Sequence, residues 1–138
     1  IGLSLGEARR RRESILGWME LSDRAEQVAN ALPHGDERRV GIARALTMQP
    51  RYLLLDEPAA GLNDAECDDL MALLRQIPGG FGCGVLLIEH NIRVVMRVCE
   101  RIYVLDSGRM IAEGSPRQVQ TDPEVIRAYL GSKGADGA

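Results

Sequence analysis

The sequence of 138 residues has no long apolar run and no large excess of either charge. Its longest purely apolar run is five residues, whereas a helix needs about 20 to cross a bilayer. Seventeen basic and twenty acidic residues give a net charge of −3, which provides no general attraction to nucleic acid or to an acidic membrane surface. We therefore expect no nucleic-acid partner, and we expect any membrane association to depend on another protein.

Lysine is almost absent. Lys133 is the only lysine, and it follows Ser132 without a preceding strand or a glycine-rich turn. The chain also lacks a G-x-x-x-x-G-K-S/T loop, which wraps nucleotide phosphates with backbone N–H groups and a lysine. We therefore expect that the chain alone cannot hold a nucleoside triphosphate through such a loop.

Cysteine is scarce and carries no metal-binding pattern. Cys67, Cys83 and Cys99 are odd in number and lack C-x-x-C spacing. Because they lie within helical or strand patterns, we expect reduced, packed thiols rather than metal ligands.

The most informative stretch that is present is YLLLDEP, residues 52–58. The apolar residues predict a parallel strand buried on both faces, which leaves Asp56 and Glu57 at its carboxyl end, where open α/β sheets bind ligands. One carboxylate there can hold Mg²⁺ while the other orients or deprotonates a water molecule. The alternative is a strand followed by an acidic turn.

A second apolar strand, residues 84–89, ends at His90. We expect it to lie beside the first strand, so that His90 and the acidic pair point to one site. A structural histidine at a strand end is the alternative.

The order of these segments is informative as a whole. LPHGDERR at 32–39 opens a helical segment that leads into the acidic strand, and AAGLN at 59–63 precedes the next helix and the His90 strand. This series resembles the C-terminal half of an ATP-binding-cassette (ABC) ATPase, with signature loop, Walker B strand, D-loop and switch histidine. The sequence DEPAAGLN at 56–63 and the tail DPEVIRAYLG at 122–131 look most like those of the ATP-binding subunits of branched-chain amino acid importers.

The resemblance implies roles for individual residues. Asp56 would hold Mg²⁺, Glu57 would be the catalytic base, and His90 would contact the γ-phosphate and help to hold the glutamate and the water. The signature loop and D-loop would supply contacts to nucleotide or to an opposing subunit from Leu32, His34, Gly35, Asp36, Gly61, Leu62 and Asn63. ATP and Mg²⁺ are expected as ligands of the complete domain only.

The signature segment departs from the Leu-Ser-Gly-Gly-Gln sequence that is common in the resembled family. Pro33 replaces the serine and removes a hydroxyl and an N–H, His34 replaces a glycine, and Asp36 replaces the glutamine. A helix starting near Asp36 would present free N–H groups to an anion, and Gly35 would permit close approach, but the Asp36 charge would repel a phosphate. A capped helix without a nucleotide role is the alternative. Arg38 and Arg39 are either surface charges or intersubunit contacts.

The predicted fold is α/β: the C-terminal part of a P-loop NTPase domain of ABC type, with a mostly parallel sheet flanked by helices. The end of the helical subdomain precedes it, and the Walker A half is absent. We predict boundaries at 1–34 for the helical part, 35–131 for the ATPase core and 132–138 for a frayed tail. Predicted helices cover 4–19, 22–31, 64–77, 91–99, 116–120 and 123–130, with strands at 52–56, 84–89, 101–106 and 109–113.

Three functions remain open at this point. The first is a partial ATP-binding subunit of an importer, inactive alone, which would work with transmembrane permease subunits and a second ATP-binding subunit, as a homodimer or heterodimer. It would be cytoplasmic and peripheral on the inner face of the plasma membrane. The second is a non-catalytic chain that only associates. In either case we expect self-association, because without the other half of the resembled fold a strand edge and apolar side chains such as those of residues 52–55 or 85–88 would be exposed. The third is a DNA-repair ATPase, for which no coiled-coil insertion is visible.

Overall fold

The computed structural model describes residue 2 and residues 4–135. They divide into two compact units, residues 1–90 and residues 91–138. The first unit contains α1 (Leu5–Trp18), α2 (His34–Thr47), β1 (Tyr52–Asp56), α3 (Asp64–Phe81) and β2 (Gly84–Ile88). The second contains α4 (Ile92–Val98), β3 (Ile102–Asp106), β4 (Arg109–Gly114), α5 (Pro116–Gln120) and α6 (Pro123–Ala135). Within the described residues, every helix is too short or too polar to cross a bilayer.

Helix α1 begins where the sequence predicts. Ser4 and Glu7 form a capping box, in which the Ser4 N–H donates to Glu7 Oε2 at 2.8 Å and the Glu7 N–H donates to Ser4 Oγ at 3.3 Å. At its other end, Trp18 meets Phe81 of α3 edge to face with ring centroids 4.8 Å apart. This aromatic contact connects α1 to α3.

The predicted helix over 22–31 is wrong. The segment contains two 3-10 turns, Ser22–Arg24 and Ala29–Ala31. Its apolar residues do not form a buried face: Ala25, Val28 and Ala29 are exposed. Isolated helices shorter than about 12 residues are marginal in water, and the apolar spacing alone provides no packing partner.

The core of the first unit lies on one side of a two-stranded parallel sheet. The pairing of β1 with β2 places Leu53 opposite Val85 and Leu54 opposite Leu86. Leu53 is buried on the helical side, and the buried residues contributed by α2 and α3 are Ile42, Ala43, Leu46, Cys67, Leu70, Met71, Leu73, Leu74 and Ile77. The predicted adjacency of the two strands is confirmed.

The three cysteines are free thiols, as predicted. Cys67 and Cys83 are buried, and Cys99 is half-buried. Burial raises the pKa of the Cys83 and Cys99 thiols, which disfavours the reactive thiolate. Within residue 2 and residues 4–135, no cluster of three His, Cys, Asp or Glu side chains could hold a metal ion.

The other side of the parallel sheet is apolar and exposed. Tyr52 and Leu54 of β1 are 69% and 67% exposed, and Leu86 and Ile88 of β2 are 53% and 56% exposed. The burial of residues 52–55 on both faces that the strand pattern predicts is therefore wrong for this chain, since no described element covers these four residues. The exposure of apolar side chains in the segments 52–55 and 85–88, which the resemblance implies, is confirmed. We call Tyr52, Leu54, Leu86 and Ile88 the open sheet face.

The second unit contains an antiparallel hairpin. Strands β3 and β4 are joined at Ser107 and Gly108, which have φ of 50° and 79° as the predicted hairpin turn requires. Helix α5 starts with a capping box between Ser115 and Gln118. Helix α6 continues to Ala135, beyond the expected end at 130 and into the predicted tail, while residues 136–138 lie outside the described residues.

We expect the chain to self-associate through the open sheet face. Exposed apolar area and free strand edges both favour pairing with another chain. Analytical ultracentrifugation up to about 100 μM should show a weight-average mass that rises with concentration. The double change Leu54→Lys with Leu86→Lys should suppress this rise.

The control is Val28→Lys, because Val28 is 69% exposed but lies outside the open sheet face. This variant should associate like the parent chain. A parent chain that stays monomeric over the whole range would contradict the prediction.

Candidate active site

The site is built where β1 and β2 end. The ladder is extended by the Glu57 N–H, which donates to the Ile88 carbonyl at 2.9 Å. Glu57 has a φ of 44°, in the left-handed region that costs a residue with a side chain roughly 1–2 kcal/mol. The backbone therefore turns sharply immediately after Asp56, and the surrounding hydrogen bonds must hold this conformation.

Glu57 and His90 face each other across the strand ends. Glu57 Oε1 lies 3.1 Å from His90 Nδ1, and both side chains are exposed. When Nδ1 carries a proton, the imidazole donates to the carboxylate and holds its orientation. The predicted convergence of these two residues is seen, and it leaves an oriented carboxylate that can accept a proton from water.

The Asp56 carboxylate fits Mg²⁺ only as part of a shared site. Asp56 is exposed at the end of β1, opposite Ile88 in the neighbouring strand. Mg²⁺ keeps several waters and binds through one or two carboxylates together with substrate phosphates. A single carboxylate of this kind suits a metal ion that arrives with a nucleotide, and it does not suit a cage made of protein ligands alone.

Helix α2 starts two residues earlier than expected. Its first residue is His34, and Pro33 is the N-cap, with φ −53° and ψ 151° and without a side-chain capping bond. The Glu37 N–H donates to the Pro33 carbonyl at 2.9 Å, which closes the first helical turn. Gly35 and Asp36 therefore lie inside this turn, where backbone N–H groups lack intrahelical partners.

Asp36 has a charged partner that sequence patterns did not indicate. Arg24 Nε lies 2.8 Å from Asp36 Oδ2, and the Asp36 side chain is 19% exposed. The expected repulsion between Asp36 and an anion is therefore opposed by a nearby positive charge. Arg24 lies in the segment 22–31, for which a helix was wrongly predicted. Helical periodicity therefore could not indicate which way the Arg24 side chain points.

The loop between β1 and α3 contains two successive turns. The Ala60 N–H donates to the Glu57 carbonyl at 3.1 Å, and the Leu62 N–H donates to the Ala59 carbonyl at 3.2 Å. Gly61 has the expected positive φ, 78°.

Asn63 caps α3. Its Oδ1 accepts from the Glu66 N–H at 3.0 Å, and its own N–H donates to Glu66 Oε2 at 3.0 Å.

The first turns of α2 pack against this loop and the start of α3. A Cβ on Gly61 would lie 3.1 Å from His34 Nε2, and a Cβ on Gly35 would lie 3.4 Å from Glu66 Oε1. The neighbouring Leu32 and Leu62 are half-buried. The predicted residues therefore form two groups, one at Asp56, Glu57 and His90, and the other at Leu32, His34, Gly35, Asp36, Gly61, Leu62 and Asn63.

Known proteins share this series of segments. The family model described as ABC transporter matches residues 4–60, and the one described as Branched-chain amino acid ATP-binding cassette transporter matches residues 109–135. The high-affinity branched-chain amino acid transport ATP-binding protein LivG of Escherichia coli (strain K12) is 44% identical over 117 residues, which are 83% of this chain and 46% of LivG. The chain belongs to the ABC transporter ATP-binding family.

Other relatives agree on this family. The lipopolysaccharide export system ATP-binding protein LptB of Acidithiobacillus ferridurans is 39% identical over 95% of this chain and 54% of its own length. The ADP-conformation crystal structure of MJ1267, an ATP-binding cassette of an ABC transporter, superposes with a TM-score of 0.83 at 28% identity, over 94% of this chain and 52% of MJ1267. The chain thus spans about half the length of the relatives it matches.

Three further residues around this ABC-type site were missed or left open by the sequence. Glu89 Oε1 accepts from the Ala59 N–H at 3.1 Å, and Arg38 Nη2 lies 3.4 Å from the Ala60 carbonyl. Arg39 is 12% exposed and pairs with Glu20 at 3.0 Å. Arg38 and Arg39 therefore both make contacts within the chain, although nothing in the spacing of the charges indicates their partners.

We expect Gly61→Ala to destabilise the chain more than Gly82→Ala. Both glycines have positive φ, 78° and 60°, so alanine is strained by roughly 1–2 kcal/mol at either position. The new methyl group of alanine would lie against the His34 ring at position 61, whereas at position 82 it would meet nothing within 4 Å. Urea unfolding of the two variants measures the difference.

The additional loss in Gly61→Ala should disappear when His34→Ala is introduced into both variants. Equal destabilisation by the two glycine substitutions in the parent chain would show that the His34 contact is not tight.

Proposed function

We propose that this chain is the hydrolytic portion of an ABC importer's ATP-binding subunit, acting in the uptake of branched-chain amino acids. The observation that carries the hydrolytic part is the 3.1 Å contact between Glu57 and His90 at the ends of two paired parallel strands. The transported class is supported by the LivG match and by the family match over residues 109–135.

Three residues divide the chemistry at the strand ends. Glu57 accepts a proton from a water molecule as the water oxygen attacks the γ-phosphorus of ATP, and the bond to the ADP oxygen breaks. His90 holds the Glu57 carboxylate through Nδ1, and the resemblance to ABC ATPases implies that it would also contact the γ-phosphate. Asp56 is the residue of this chain that would hold Mg²⁺, and the ion, when bound with the nucleotide, would neutralise phosphate charge.

The start of α2 is proposed to act on a nucleotide held by a second ATP-binding subunit. Its first-turn N–H groups and Gly35 suit an anion, and Arg24 opposes the charge of Asp36. We assign Leu62 and Asn63 to the same intersubunit surface. The complete assembly would include transmembrane permease subunits, which would hold it at the inner face of the plasma membrane.

Lipopolysaccharide export is a second candidate for the transported class. The LptB match covers 95% of this chain, more than the 83% covered by LivG, but at lower identity. The family match over residues 109–135 favours the amino acid class.

The purified chain is expected neither to bind ATP tightly nor to hydrolyse it. Without a glycine-rich loop and its lysine, the triphosphate loses its main anchors, and Asp56 and Glu57 repel it unless Mg²⁺ mediates. Isothermal titration with Mg-ATP should reveal no site tighter than about 1 mM, which corresponds to ~4 kcal/mol. Stoichiometric binding, or turnover that Glu57→Gln abolishes, would show that the chain is active alone.

A completed domain should hydrolyse ATP and should lose this activity in Glu57→Gln. Such a domain can be made by joining the amino-terminal half of LivG to this chain. The amide retains the shape of the side chain but cannot accept the proton, so we expect kcat to fall about 10²–10⁴-fold with ATP affinity retained. The control is Glu26→Gln, which removes an exposed carboxylate of the same kind outside the site.

Two further variants separate the roles at this site. His90→Ala should also lower kcat, whereas Asp56→Asn should mainly raise the Mg²⁺ concentration that hydrolysis requires. A completed domain that retains near-full turnover in Glu57→Gln would rule out the assigned base.

A further inference from the structure

We propose that Glu89 and Arg38 are positioning residues that hold the loop of residues 58–61 between the start of α2 and the Glu57–His90 pair. Through this loop, the position of α2 controls the geometry of the Glu57 carboxylate. The inference rests on the proposed function, because it assigns Glu57 the role of base. It adds Glu89 and Arg38 to the site, and it makes the loop of residues 58–61 the physical connection between the two groups of site residues within one chain.

The last residue of β2 and the two residues after it contact the chain that follows β1. The Ile88 carbonyl accepts the Glu57 N–H at 2.9 Å, Glu89 accepts the Ala59 N–H at 3.1 Å, and His90 lies 3.1 Å from the Glu57 carboxylate. A carboxylate acceptor makes a stronger hydrogen bond than a neutral one. Glu89 therefore restrains the loop two residues after Glu57, where rotation of the backbone would otherwise release the strained φ of 44°.

Helix α2 holds the same loop from another direction. Arg38 Nη2 lies 3.4 Å from the Ala60 carbonyl, and the His34 ring lies against Gly61. His34 and Arg38 are four residues apart and so lie on one face of the helix, one turn above the other. Two consecutive turns of α2 therefore contact two consecutive residues of the loop.

These contacts leave the loop little freedom to move independently. The Ala59 N–H is held by Glu89, which follows β2, and the Ala60 carbonyl is contacted by Arg38 of α2, so the backbone between them connects the two elements. A shift of α2 must either break the Arg38 contact or displace the loop and with it the Glu57 backbone. A displacement of 1 Å at a reacting group can cost about 10²-fold in rate, so a small movement is sufficient.

The first test uses this chain and requires no ATP. Amide hydrogen exchange followed by NMR should show that Glu89→Ala speeds exchange of the Ala59 amide about tenfold or more. Glu89→Gln retains a carbonyl oxygen as acceptor and should preserve most of the protection. Arg38→Ala should also speed Ala59 exchange, although Arg38 does not bond to that amide, whereas Arg44→Ala, an exposed arginine on the same helix, should not.

The second test uses the completed domain and separates kcat from ATP affinity. Glu89→Ala and Arg38→Ala should each lower kcat about tenfold with the Kd for ATP unchanged, and the double variant should be no worse than the stronger single variant. Glu89→Gln should recover most of the activity, and Arg44→Ala should leave it unchanged.

Several outcomes would overturn the positioning role: unaltered Ala59 exchange in Glu89→Ala, equal kcat losses in Glu89→Ala and Glu89→Gln, or a loss confined to ATP affinity. Failure of the proposed function looks different. A completed parent domain that does not hydrolyse ATP, or one that is insensitive to Glu57→Gln, overturns the hydrolytic role. The positioning of the loop is then decided by the exchange measurement alone.

Discussion

The parallel pairing of β1 with β2 is the constraint on which the rest of the site depends. Its register places Asp56 opposite Ile88. The residues that follow the two strands, Glu57 after β1 and Glu89 and His90 after β2, therefore lie together at one edge of the sheet. A slip of one residue would move the buried side chains of a strand to its opposite face. The buried Leu53 resists such a slip, because the exchange would place it in solvent. The hydrophobic packing of the first unit thereby brings the backbones that carry a carboxylate and an imidazole to one edge of the sheet.

The parts of the fold that the sequence predicted are those with local causes. Ser4 with Glu7 marks a helix start, and Ser107 with Gly108 marks a hairpin, because each pair satisfies its own backbone within a few residues. The acidic strand end and His90 could also be anticipated, since parallel strands bring their carboxyl ends to one edge.

The parts that the sequence did not predict depend on distant partners. Residues 22–31 have helical apolar spacing but no covering surface, so two short turns replace the helix. The partners of Asp36 and Ala59 are Arg24 and Glu89, which are 12 and 30 residues away, and no periodicity connects them. The open sheet face is an intermediate case: the resemblance to a longer domain predicts that its apolar side chains are exposed in this chain, whereas strand composition alone reports apolarity and cannot report whether a neighbouring layer is present.

The unusual residues at the start of α2, Pro33 and Asp36, are partly compensated by the helix geometry and by neighbouring charges. Proline at the N-cap removes an N–H, yet the helix starts one residue later and retains the N–H groups of its first turn. The negative charge of Asp36 offsets the positive end of the helix dipole and so weakens its attraction for an anion. Arg24, at 2.8 Å from the Asp36 carboxylate, counteracts this weakening. Glu37 has His34 Nδ1 at 3.5 Å, an interaction that becomes an ion pair when the imidazole is protonated. In the proposed intersubunit role, a phosphate approaching Gly35 would therefore meet backbone donors, and Arg24 would offset the charge of Asp36 beside them.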